Sequence, residues 1–467
     1  MVLIIFNAVL EGCGGDLILI LKFSDIMSFH EKIKMQVEKL PPGPGVLLNF
    51  LPFSLRLGND YTQAMRLADQ LVRADHETRN KYLIYKFNNI FNLFRNNNGF
   101  YRNHLQQGEC DVTEIRNHED IKKIPILTKS LLRKARLEER TIFENGYKQF
   151  NTGGTSGFPL TFFLEKKFYS REWAHMHYLW RKIGYLPGKT KITVRGRNLD
   201  DICQYNFNQN EFLINSYHSF DTSDYLRLYN VFKKYNTEFI HGYPSAIYNF
   251  LKEVSANAPF LLDFLKKKIK GVMLGSEYPS PVYRNFIEST LTQNSISWYG
   301  HTEGVILAAE VFKKYEYVPF LSYGFTEAVK IDNYYHLVGT SFYNNAAPFI
   351  RYDTEDIINP TLNEYGLLES FEITEGRLGE FILDMNNKNI SLTALIFGRH
   401  HKLFDRVNFV QVKQLMPGEI IIHYSHPDVI ENPSELFDSG NLNLNISFKQ
   451  IKEPYKTPLG KIPLLIK

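Results

Sequence analysis

The sequence predicts an α/β protein in which a large N-terminal domain of mixed sheets and helices precedes a small α+β C-terminal domain. Short strand-like runs alternate with amphipathic helical runs between residues 191 and 299, and this alternation is typical of βαβ units. Beyond residue 310 the helical signal fades, and strand patterns with polar turns follow at 326–330, 335–340 and 368–373. The composition changes most near residues 376–380, so the predicted boundary lies there and leaves a C-terminal domain of about 90 residues.

Composition sets the broad class of the protein. The 467 residues are 44% hydrophobic and 22% charged, which is close to ordinary globular usage and excludes disordered, collagen-like and coiled-coil chains. The net charge of +4, from 54 Lys and Arg against 50 Asp and Glu, is too small to indicate a nucleic-acid partner. We therefore expect a globular protein of two or three domains that does not bind nucleic acid.

Cysteine usage and the lack of long apolar runs indicate the compartment. Cys13, Cys110 and Cys203 are far apart, so neither a disulfide framework nor a zinc site is predicted. No apolar run approaches the roughly 18–20 residues that a membrane span needs, and no basic residue precedes the apolar N-terminal stretches as in a signal peptide. We expect a cytoplasmic protein without a membrane span. Residues 1–60 are an extension without assigned elements, in which Met27 is an alternative start to Met1.

The N-terminal part is predicted to be helical before the first strands begin. Apolar residues recur at helical spacing between residues 61 and 104, and Thr128 precedes a Leu-rich turn as a helix N-cap would. Residues 161–164 have the composition of a strand. Further strands are predicted at 191–194, 238–240, 271–274 and 295–299, and helices at 224–235, 245–254 and 281–291.

A Gly/Ser/Thr-rich stretch immediately precedes the strand at 161–164. Its central residues are Thr152, Gly153, Gly154, Thr155, Ser156 and Gly157. Such a loop can aim backbone N–H groups and hydroxyls at phosphate oxygens. It is not a Walker A loop, because no Gly-Lys-Ser/Thr follows, and it does not open a helix with the Gly-x-Gly-x-x-Gly fingerprint. Taken alone, it is equally compatible with a surface turn.

Several further motifs follow this loop in a fixed order. They are Gly275-Ser276-Glu277, Trp298-Tyr299-Gly300-His301-Thr302-Glu303-Gly304, Arg351-Tyr352-Asp353-Thr354-Glu355-Asp356, Gly376-Arg377-Leu378-Gly379-Glu380 and Gly460-Lys461. With the loop, this ordered set resembles the adenylate-forming superfamily of acyl-CoA synthetases, nonribosomal adenylation domains and luciferases. Within it, the chain resembles the phenylacetate–CoA ligase and CapK-like branch. The resemblance implies a large adenylate-forming domain, residues 1–376, and a small mobile lid domain, residues 377–467.

The resemblance also implies roles for individual residues. The Thr152–Gly157 loop would bind the ATP phosphates, Tyr299 would stack on adenine, and Asp356 would bind the ribose hydroxyls. Thr302 would contact the α-phosphate or the substrate carboxylate, and Glu303 would bind Mg²⁺; a hard carboxylate oxygen suits that hard cation. The remaining implied site residues are Ser276, Glu277, Gly300 and Arg377 beside the nucleotide, Lys461 as a catalytic cation and Glu380 at the hinge.

Three positions depart from the pattern of that superfamily. Phe158 replaces a Lys that is common in the phosphate loop, Glu355 replaces a Gly, and Glu380 replaces an Asp at the hinge. With Phe158, the resemblance implies one cationic phosphate contact fewer. With Glu355, it does not define the geometry of the local turn. The third keeps the charge.

Histidines and glycines near the sheet give the remaining candidates. His241, Gly242 and Tyr243 resemble the stretch beside the acyl pocket of the branch, although plain core packing is an equal alternative for the His and Tyr. His175 and His177, two residues apart, point to different sides of a helix and do not form a metal pair. The doublet 400–401 is expected at the surface.

The implied function is that of an AMP-forming ligase with ATP and Mg²⁺ as cofactors. It would activate a small carboxylic acid to an acyl-adenylate and transfer the acyl group to coenzyme A. The first alternative is transfer to an amine or hydroxyl of an amino acid or sugar, in surface polysaccharide biosynthesis. The second is a catalytically inactive scaffold. A homodimer is the default expectation for such an enzyme.

Overall fold

The computed structural model describes most of the chain beyond the N-terminal extension. The described residues are 43, 53–142, 147–151, 160–165, 167–195, 199–216, 218–331, 333–375, 381–392, 395–396, 399, 401–407, 409–426, 428–455 and 464–466. Within them, strands and helices share two large hydrophobic cores, and a third core is formed by C-terminal residues alone. The predicted α/β class is confirmed.

A run of helices comes before the first strand. They are α1 (Phe53–Leu57), α2 (Asn59–Arg73), α3 (His76–Asn97), α4 (Gly99–Gln107), α5 (His118–Lys122) and α6 (Lys129–Lys134). Side-chain caps start several of them: the Asp75 carboxylate accepts the Thr78 N–H at 2.8 Å, and the Thr128 hydroxyl accepts the Leu131 N–H at 3.3 Å. Such caps satisfy backbone donors that lack partners within the helix. The N-cap predicted at Thr128 is therefore confirmed.

An antiparallel hairpin follows, made of β1 (Tyr147–Asn151) and β2 (Thr161–Glu165). Phe162 and Leu164 alternate with less buried neighbours along β2, as expected when one face of a strand is buried. The strand predicted at 161–164 is confirmed, and the proposed phosphate loop connects these two strands.

The central sheet has a parallel half. Its strands are β3 (Lys191–Val194), β5 (Glu211–Ile214), β6 (Phe239–Gly242), β7 (Gly271–Leu274) and β8 (Ser295–Gly300). They lie in the order β5-β3-β6-β7-β8, and every neighbouring pair is parallel. Nearly all of their residues are buried, as expected of parallel strands covered on both faces. Among the parallel strands, β3 comes first in the sequence. The later strands β5 and β6 pair with opposite edges of β3.

Helices precede and connect these parallel strands. They are α7 (Phe168–Trp180) before β3, α8 (Thr222–Lys234) before β6, α9 (Pro244–Asn257) and α10 (Pro259–Lys268) before β7, and α11 (Pro281–Thr290) before β8. The helices α9, α10 and α11 each begin with proline, whose fixed φ suits the first helical turn. The predicted alternation of strands and helices is confirmed.

The antiparallel half completes a twelve-stranded sheet. Its strands are β4 (Cys203–Asn206), β9 (Leu307–Glu310), β10 (Glu316–Pro319), β11 (Gly324–Ile331), β12 (Tyr334–Ser341), β13 (Tyr352–Leu362) and β14 (Leu368–Glu375). The order is β11-β12-β13-β14-β10-β9-β8, with β4 at the opposite edge. This half brings β13 into the same sheet as β8, although the two strands are far apart in the sequence.

The C-terminal residues form smaller sheets. A hairpin pairs β15 (Phe381–Leu383) with β16 (Asn389–Ser391), and a second sheet has the order β19-β18-β17-β20. The strands of that sheet are β17 (Phe409–Met416), β18 (Glu419–Ser425), β19 (Asn445–Gln450) and β20 (Leu465–Ile466). The predicted boundary at 376–380 lies outside the described residues.

The surface position predicted for the histidine doublet is wrong for His401. Its side chain is buried and lies flat on Phe437 at 3.7 Å between ring centroids. Nε2 contacts the Leu395 carbonyl at 2.7 Å, and Nδ1 accepts the Asp438 N–H at 2.9 Å. Two local backbone partners satisfy the ring, so burial is inexpensive there.

In the described part of the chain, no helix is long and apolar enough to cross a membrane.

Candidate active site

Most of the described candidate residues lie at or just beyond the carboxyl ends of the parallel strands. His241 and Gly242 end β6, Ser276 and Glu277 follow β7, and Tyr299 lies near the end of β8. Ligands of open α/β sheets bind at this edge because the loops after the strands meet there. The fold thus gathers segments that are separated by about sixty residues of sequence.

Tyr299 and Asp356 form a direct contact between two motifs. The Tyr299 hydroxyl donates to Asp356 Oδ2 at 2.6 Å, and both side chains are buried. The Tyr299 ring packs against Phe371 of β14 in a T-shaped arrangement, with ring centroids 5.4 Å apart. The contact orients the carboxylate expected to bind ribose. Adenine stacking on Tyr299 stays a prediction, since the ring is nearly enclosed by protein.

Glu303 is held by two donors in the loop between β8 and β9. The Tyr352 hydroxyl donates to Oε1 at 3.1 Å, and His301 Nδ1 lies 3.1 Å from Oε2. The Ile306 N–H donates to His301 Nε2 at 3.2 Å, which leaves the ring proton on Nδ1 to face Glu303. Glu303 is buried and its carboxylate has a fixed orientation, while the neighbouring Thr302 is exposed.

Arg133 is a cation near Glu303 that sequence reasoning missed. Burial lowers the pKa of its guanidinium to about 10, against the opposing effects of Glu355, Tyr352 and Glu303. The same surroundings, burial first and the Glu303 charge second, raise the pKa of the Tyr352 hydroxyl well above its usual value. Tyr352 is therefore a neutral donor to the carboxylate. No sequence signal indicates that α6 approaches the loop after β8.

Glu277 joins two elements at the sheet edge. Its Oε2 accepts the Ser245 hydroxyl at 2.7 Å and the Ser245 N–H at 3.2 Å, so the buried carboxylate lies at the N-terminus of α9, where the helix dipole favours a negative charge. The preceding Ser276 is exposed and has φ of 64°, a conformation that non-glycine residues rarely adopt. Contacts of Ser276 and Glu277 with the nucleotide stay predictions.

His241 lies in an aromatic cluster with two tryptophans. Its ring stacks on Trp298 at 5.7 Å and lies 5.0 Å from Trp180 between centroids. Burial, followed by the charge of Arg195, lowers the pKa of His241 well below its usual value, so the ring is neutral. Its Nδ1 has no hydrogen-bond partner in the described structure. Trp180 was missed as a candidate because it is 118 residues from Trp298 in the sequence.

Gly242 allows β6 to lie close to β3. A Cβ atom at this position would lie 1.9 Å from the Val194 carbonyl oxygen. The same carbonyl accepts the Tyr243 N–H at 3.1 Å. The space beside Gly300, which follows Tyr299, is less restricted than that beside Gly242, because a Cβ added at Gly300 would lie 3.1 Å from Leu307. A place for His241, Gly242 and Tyr243 in an acyl pocket stays a prediction.

The described residues have too few ligands to hold a metal by themselves. No group of three or more His, Cys, Asp or Glu with metal-binding geometry occurs among them. This is compatible with Mg²⁺, which proteins often bind through one or two carboxylates together with substrate phosphates and water. The buried, oriented carboxylate of Glu303 fits that pattern. The two histidines of α7 do not form a pair, because His175 contacts Ser322 and His177 contacts Tyr61.

The remaining candidates lie outside the described residues. They are Thr152, Gly153, Gly154, Thr155, Ser156 and Gly157 of the phosphate loop, Arg377, Glu380 and Lys461. Their implied roles stay predictions.

Comparison with known proteins places the fold. The chain superposes on a crystal structure of 2-hydroxyisobutyryl-CoA ligase in complex with 2-HIB-AMP and CoA with a TM-score of 0.50, at 14% identity, covering 84% of this chain and 90% of the ligase. The chain has the fold of this ligase. A structure of the same ligase in the postadenylation state gives a TM-score of 0.49 at 14% identity, covering 80% of this chain and 86% of that one. The fold that the resemblance implies is confirmed by the superposition with a TM-score of 0.50.

At the sequence level, no family model matches the chain. It is 25% identical to Protein CapK of Staphylococcus aureus over 282 residues, which are 58% of this chain. The match spans 61% of the length of CapK.

Proposed function

We propose that this protein is an adenylate-forming ligase that activates a carboxylic acid with ATP. The observation that carries the proposal is the convergence of Tyr299, Asp356 and Glu303 at the carboxyl edge of the parallel strands, where the ordered motifs require them. An adenylate-forming fold hosts several chemistries, so these residues, and not the fold alone, support the proposal.

The first step would be an in-line displacement. A carboxylate oxygen of the acid attacks the α-phosphorus of ATP, the bond to the β-phosphate oxygen breaks, and pyrophosphate leaves with the electron pair. Asp356, oriented by the Tyr299 hydroxyl at 2.6 Å, would accept hydrogen bonds from the ribose hydroxyls. These bonds would fix the position of the α-phosphate. Such positioning raises the rate of the reaction, because the attacking oxygen and the α-phosphorus are held close to each other.

Charge compensation would come from a few groups. Mg²⁺, when bound, supplies positive charge at the phosphates, and Glu303 would hold it through a carboxylate that Tyr352 and His301 keep oriented. The exposed Thr302 hydroxyl would donate to the α-phosphate or the acid. Lys461 would compensate the charge that develops in the transition state, and the glycine-rich loop at 152–157 would hold the outer phosphates.

The second step would transfer the acyl group from AMP to a nucleophile. The proposed acceptors are the thiol of coenzyme A or an amine or hydroxyl of a second substrate. The solved ligase with this fold contains 2-HIB-AMP and CoA, which makes coenzyme A the first acceptor to test. An inactive scaffold is the competing proposal, and the oriented Glu303 and Asp356 argue against it.

Acid-dependent pyrophosphate release tests the proposal. The chain is incubated with ATP, Mg²⁺ and a library of carboxylic acids, and release is then measured again with coenzyme A and with candidate amines and alcohols. At least one acid should stimulate release, and the true acceptor should raise turnover further. ATP binding without release for any acid would support the scaffold instead.

Two variants separate binding from chemistry in that assay. Lys461→Ala should depress pyrophosphate release by at least tenfold with little change in ATP affinity, because its contact forms mainly in the transition state. Asp356→Ala should weaken ATP binding itself. The exposed Lys452 provides a control, since Lys452→Ala should change neither property. Unchanged release in Lys461→Ala would remove that residue from the mechanism.

A further inference from the structure

A cleft of about 410 Å³ lies between the parallel half of the sheet and the C-terminal hairpin β15–β16. On one side it is lined by Val194 and Ile214, the last residues of β3 and β5, and by residues of α9. On the other side it is lined by the 384–390 segment of the hairpin and by residues 441–443. None of the residues predicted from the sequence as site residues lines this cleft.

The position of the cleft matches the place where open α/β sheets bind ligands. With the parallel strands in the order β5-β3-β6-β7-β8, the chain leaves β3 toward β5 on one side and continues to β6 on the other. The carboxyl ends of β3 and β6 therefore border the topological switch point, where the loops diverge and leave a crevice. Val194 ends β3 and Ser245 follows β6, and both line the cleft.

The same residues connect the cleft to the candidate active site. The Val194 carbonyl accepts the Tyr243 N–H at 3.1 Å, and the Ser245 hydroxyl donates to Glu277 at 2.7 Å. A molecule in the cleft would therefore lie directly beside the segments that carry Tyr243 and Glu277. Such a position suits a second substrate.

The side chains that line the cleft are rich in amide groups. Seven asparagines line the cleft: Asn249, Asn257, Asn386, Asn387, Asn389, Asn441 and Asn443. An asparagine side chain has two N–H donors and an oxygen acceptor without carrying a charge. Asn249 already donates one N–H to the Asn389 carbonyl at 2.5 Å across the cleft, and amide walls of this kind suit a ligand that is dense in hydroxyl groups. Tyr248 and Phe220 add apolar surface to the same cleft, against which the C–H face of a sugar ring can pack.

The charges in the cleft balance, and all but Lys252, whose ammonium lies 5.3 Å from the centroid of the Tyr248 ring, have a polar partner. Among the described lining residues, the lysines are Lys252 and Lys388, and the carboxylates are Glu253 and Asp384. Lys388 pairs with Glu253 at 2.6 Å, and Asp384 Oδ1 accepts two backbone N–H groups of the hairpin, both at 2.8 Å. The lining histidine, His218, pairs with Asp224 at 3.0 Å. A phosphate-rich ligand such as coenzyme A requires an excess of cations, which these walls do not provide.

We propose that this cleft binds an uncharged, polyhydroxylated molecule such as a sugar, as the acceptor of the acyl group. The assignment as acceptor, but not the binding, rests on the proposed ligase function. A hydroxyl oxygen of the bound molecule attacks the acyl carbon of the adenylate, the bond from that carbon to the phosphate oxygen breaks, and AMP leaves with the electron pair. The hydroxyl proton passes to water, and an ester forms.

Binding is measured without ATP, so that it does not depend on adenylation. The full chain is examined by saturation-transfer NMR with glucose, N-acetylglucosamine and N-acetylgalactosamine, and with coenzyme A as a separate probe. At least one sugar should receive saturation. Failure of all three sugars, or binding of coenzyme A that Lys252→Gln abolishes, would overturn the proposal.

Matched variants of α9 locate the binding. Ala246 lines the cleft, whereas Ser255 is exposed on the same helix and does not. Ala246→Tyr fills the cleft and should weaken sugar binding at least tenfold, and Ser255→Tyr should leave it unchanged. If Ala246→Tyr does not fold, Asn386→Ala on the exposed opposite wall should still weaken binding at least threefold. Equal binding by the cleft variants and the control would place the sugar elsewhere.

The two proposals fail separately. Sugar binding without acid-dependent pyrophosphate release would retain the site and refute the ligase. Pyrophosphate release without sugar binding would retain the ligase and refute the acceptor.

Discussion

Glu355 has a backbone conformation that normally selects glycine. Its φ is 65°, and its N–H donates to Asp353 Oδ1 at 2.8 Å. Although its side chain is exposed, nearby protein atoms desolvate the carboxyl and raise its pKa, against the attraction of Lys129. The departure from the glycine of related motifs thus leaves the turn intact and adds a strained residue beside Asp356.

Replacing Glu355 separates the backbone strain from the side chain. Glu355→Gly should be more stable to unfolding than Glu355→Ala by about 1 kcal/mol, because a left-handed conformation costs residues with a Cβ roughly that much. Both variants lack the carboxyl, so the difference between them reports the backbone alone. Urea unfolding measures it; an alanine variant as stable as the glycine variant would mean that no strain exists at this turn.

The contacts of Glu303 illustrate what sequence could and could not provide at this scale. The motif identifies Glu303 because its residue types recur in a fixed order. The partner that orients it, Tyr352, is 49 residues away, and Arg133 comes from a helix earlier still. Local patterns contain no information on which distant side chains meet, so these contacts required the folded structure.

Arg284 links α11 to the sheet through a buried ion-pair cluster. The guanidinium is fully buried and binds both carboxylate oxygens of Glu310, at 2.6 and 2.9 Å, while its Nε donates to Glu288 at 3.0 Å. Glu310 also accepts the Ser297 N–H at 2.8 Å. The cluster therefore fixes α11 against the start of β8, whose far end carries Tyr299.

Arg284→Met should cost about 3–5 kcal/mol of stability, because it leaves the buried carboxylate of Glu310 without its cation, whereas Glu288 keeps Lys314 at 2.8 Å. The exposed pair between Arg227 and Asp201 is the matched control, and Arg227→Met should cost less than about 1 kcal/mol. Denaturant unfolding of the two variants measures the difference. Similar losses of stability in the two variants would show that burial does not determine how much these ion pairs contribute to stability.

Secondary structure was the most predictable level of the fold. The strands at 191–194 and 271–274 agree with the prediction residue by residue, because short apolar runs between polar turns have few alternatives. The order of strands in the sheet was not predictable from local patterns. Register and neighbours are decided by packing over long separations, and the cleft at the switch point follows from that order.

Buried neutral histidines make the stability of the whole molecule sensitive to acid. Burial lowers the pKa of His175 to about 4 from an ordinary value of 6.5, and it lowers those of His177 and His241 well below that value. The unfolded chain takes up protons on these rings below pH 6.5, whereas the folded protein does not. The free energy of unfolding must therefore fall as the pH falls from about 6.5 toward 4.

Replacing one of these histidines should weaken the dependence of the free energy of unfolding on pH. The slope for His175→Gln near pH 5 should be smaller than the wild-type slope by up to about 1.4 kcal/mol per pH unit, which corresponds to one proton. Urea unfolding at several pH values gives both slopes. Identical slopes would mean that His175 is charged in the folded state, contrary to its burial.

At the scale of the molecule, the fold class was predictable from the alternation of strand and helix patterns, whereas the proposed acceptor was not. The ordered motifs support the proposed adenylation step, and the amide-rich cleft is built from residues such as Asn249 and Asn386 that match no motif. Single asparagines are common at protein surfaces, so only their convergence in one cleft is informative.

Isotope transfer tests the central claim most directly. The chain is supplied with ATP and an acid that stimulates pyrophosphate release, with ¹⁸O in both carboxylate oxygens, and the AMP product is analysed by mass spectrometry. If a carboxylate oxygen attacks the α-phosphorus, AMP retains one ¹⁸O after the acyl group leaves. Unlabelled AMP, or label in pyrophosphate, would contradict an acyl-adenylate intermediate.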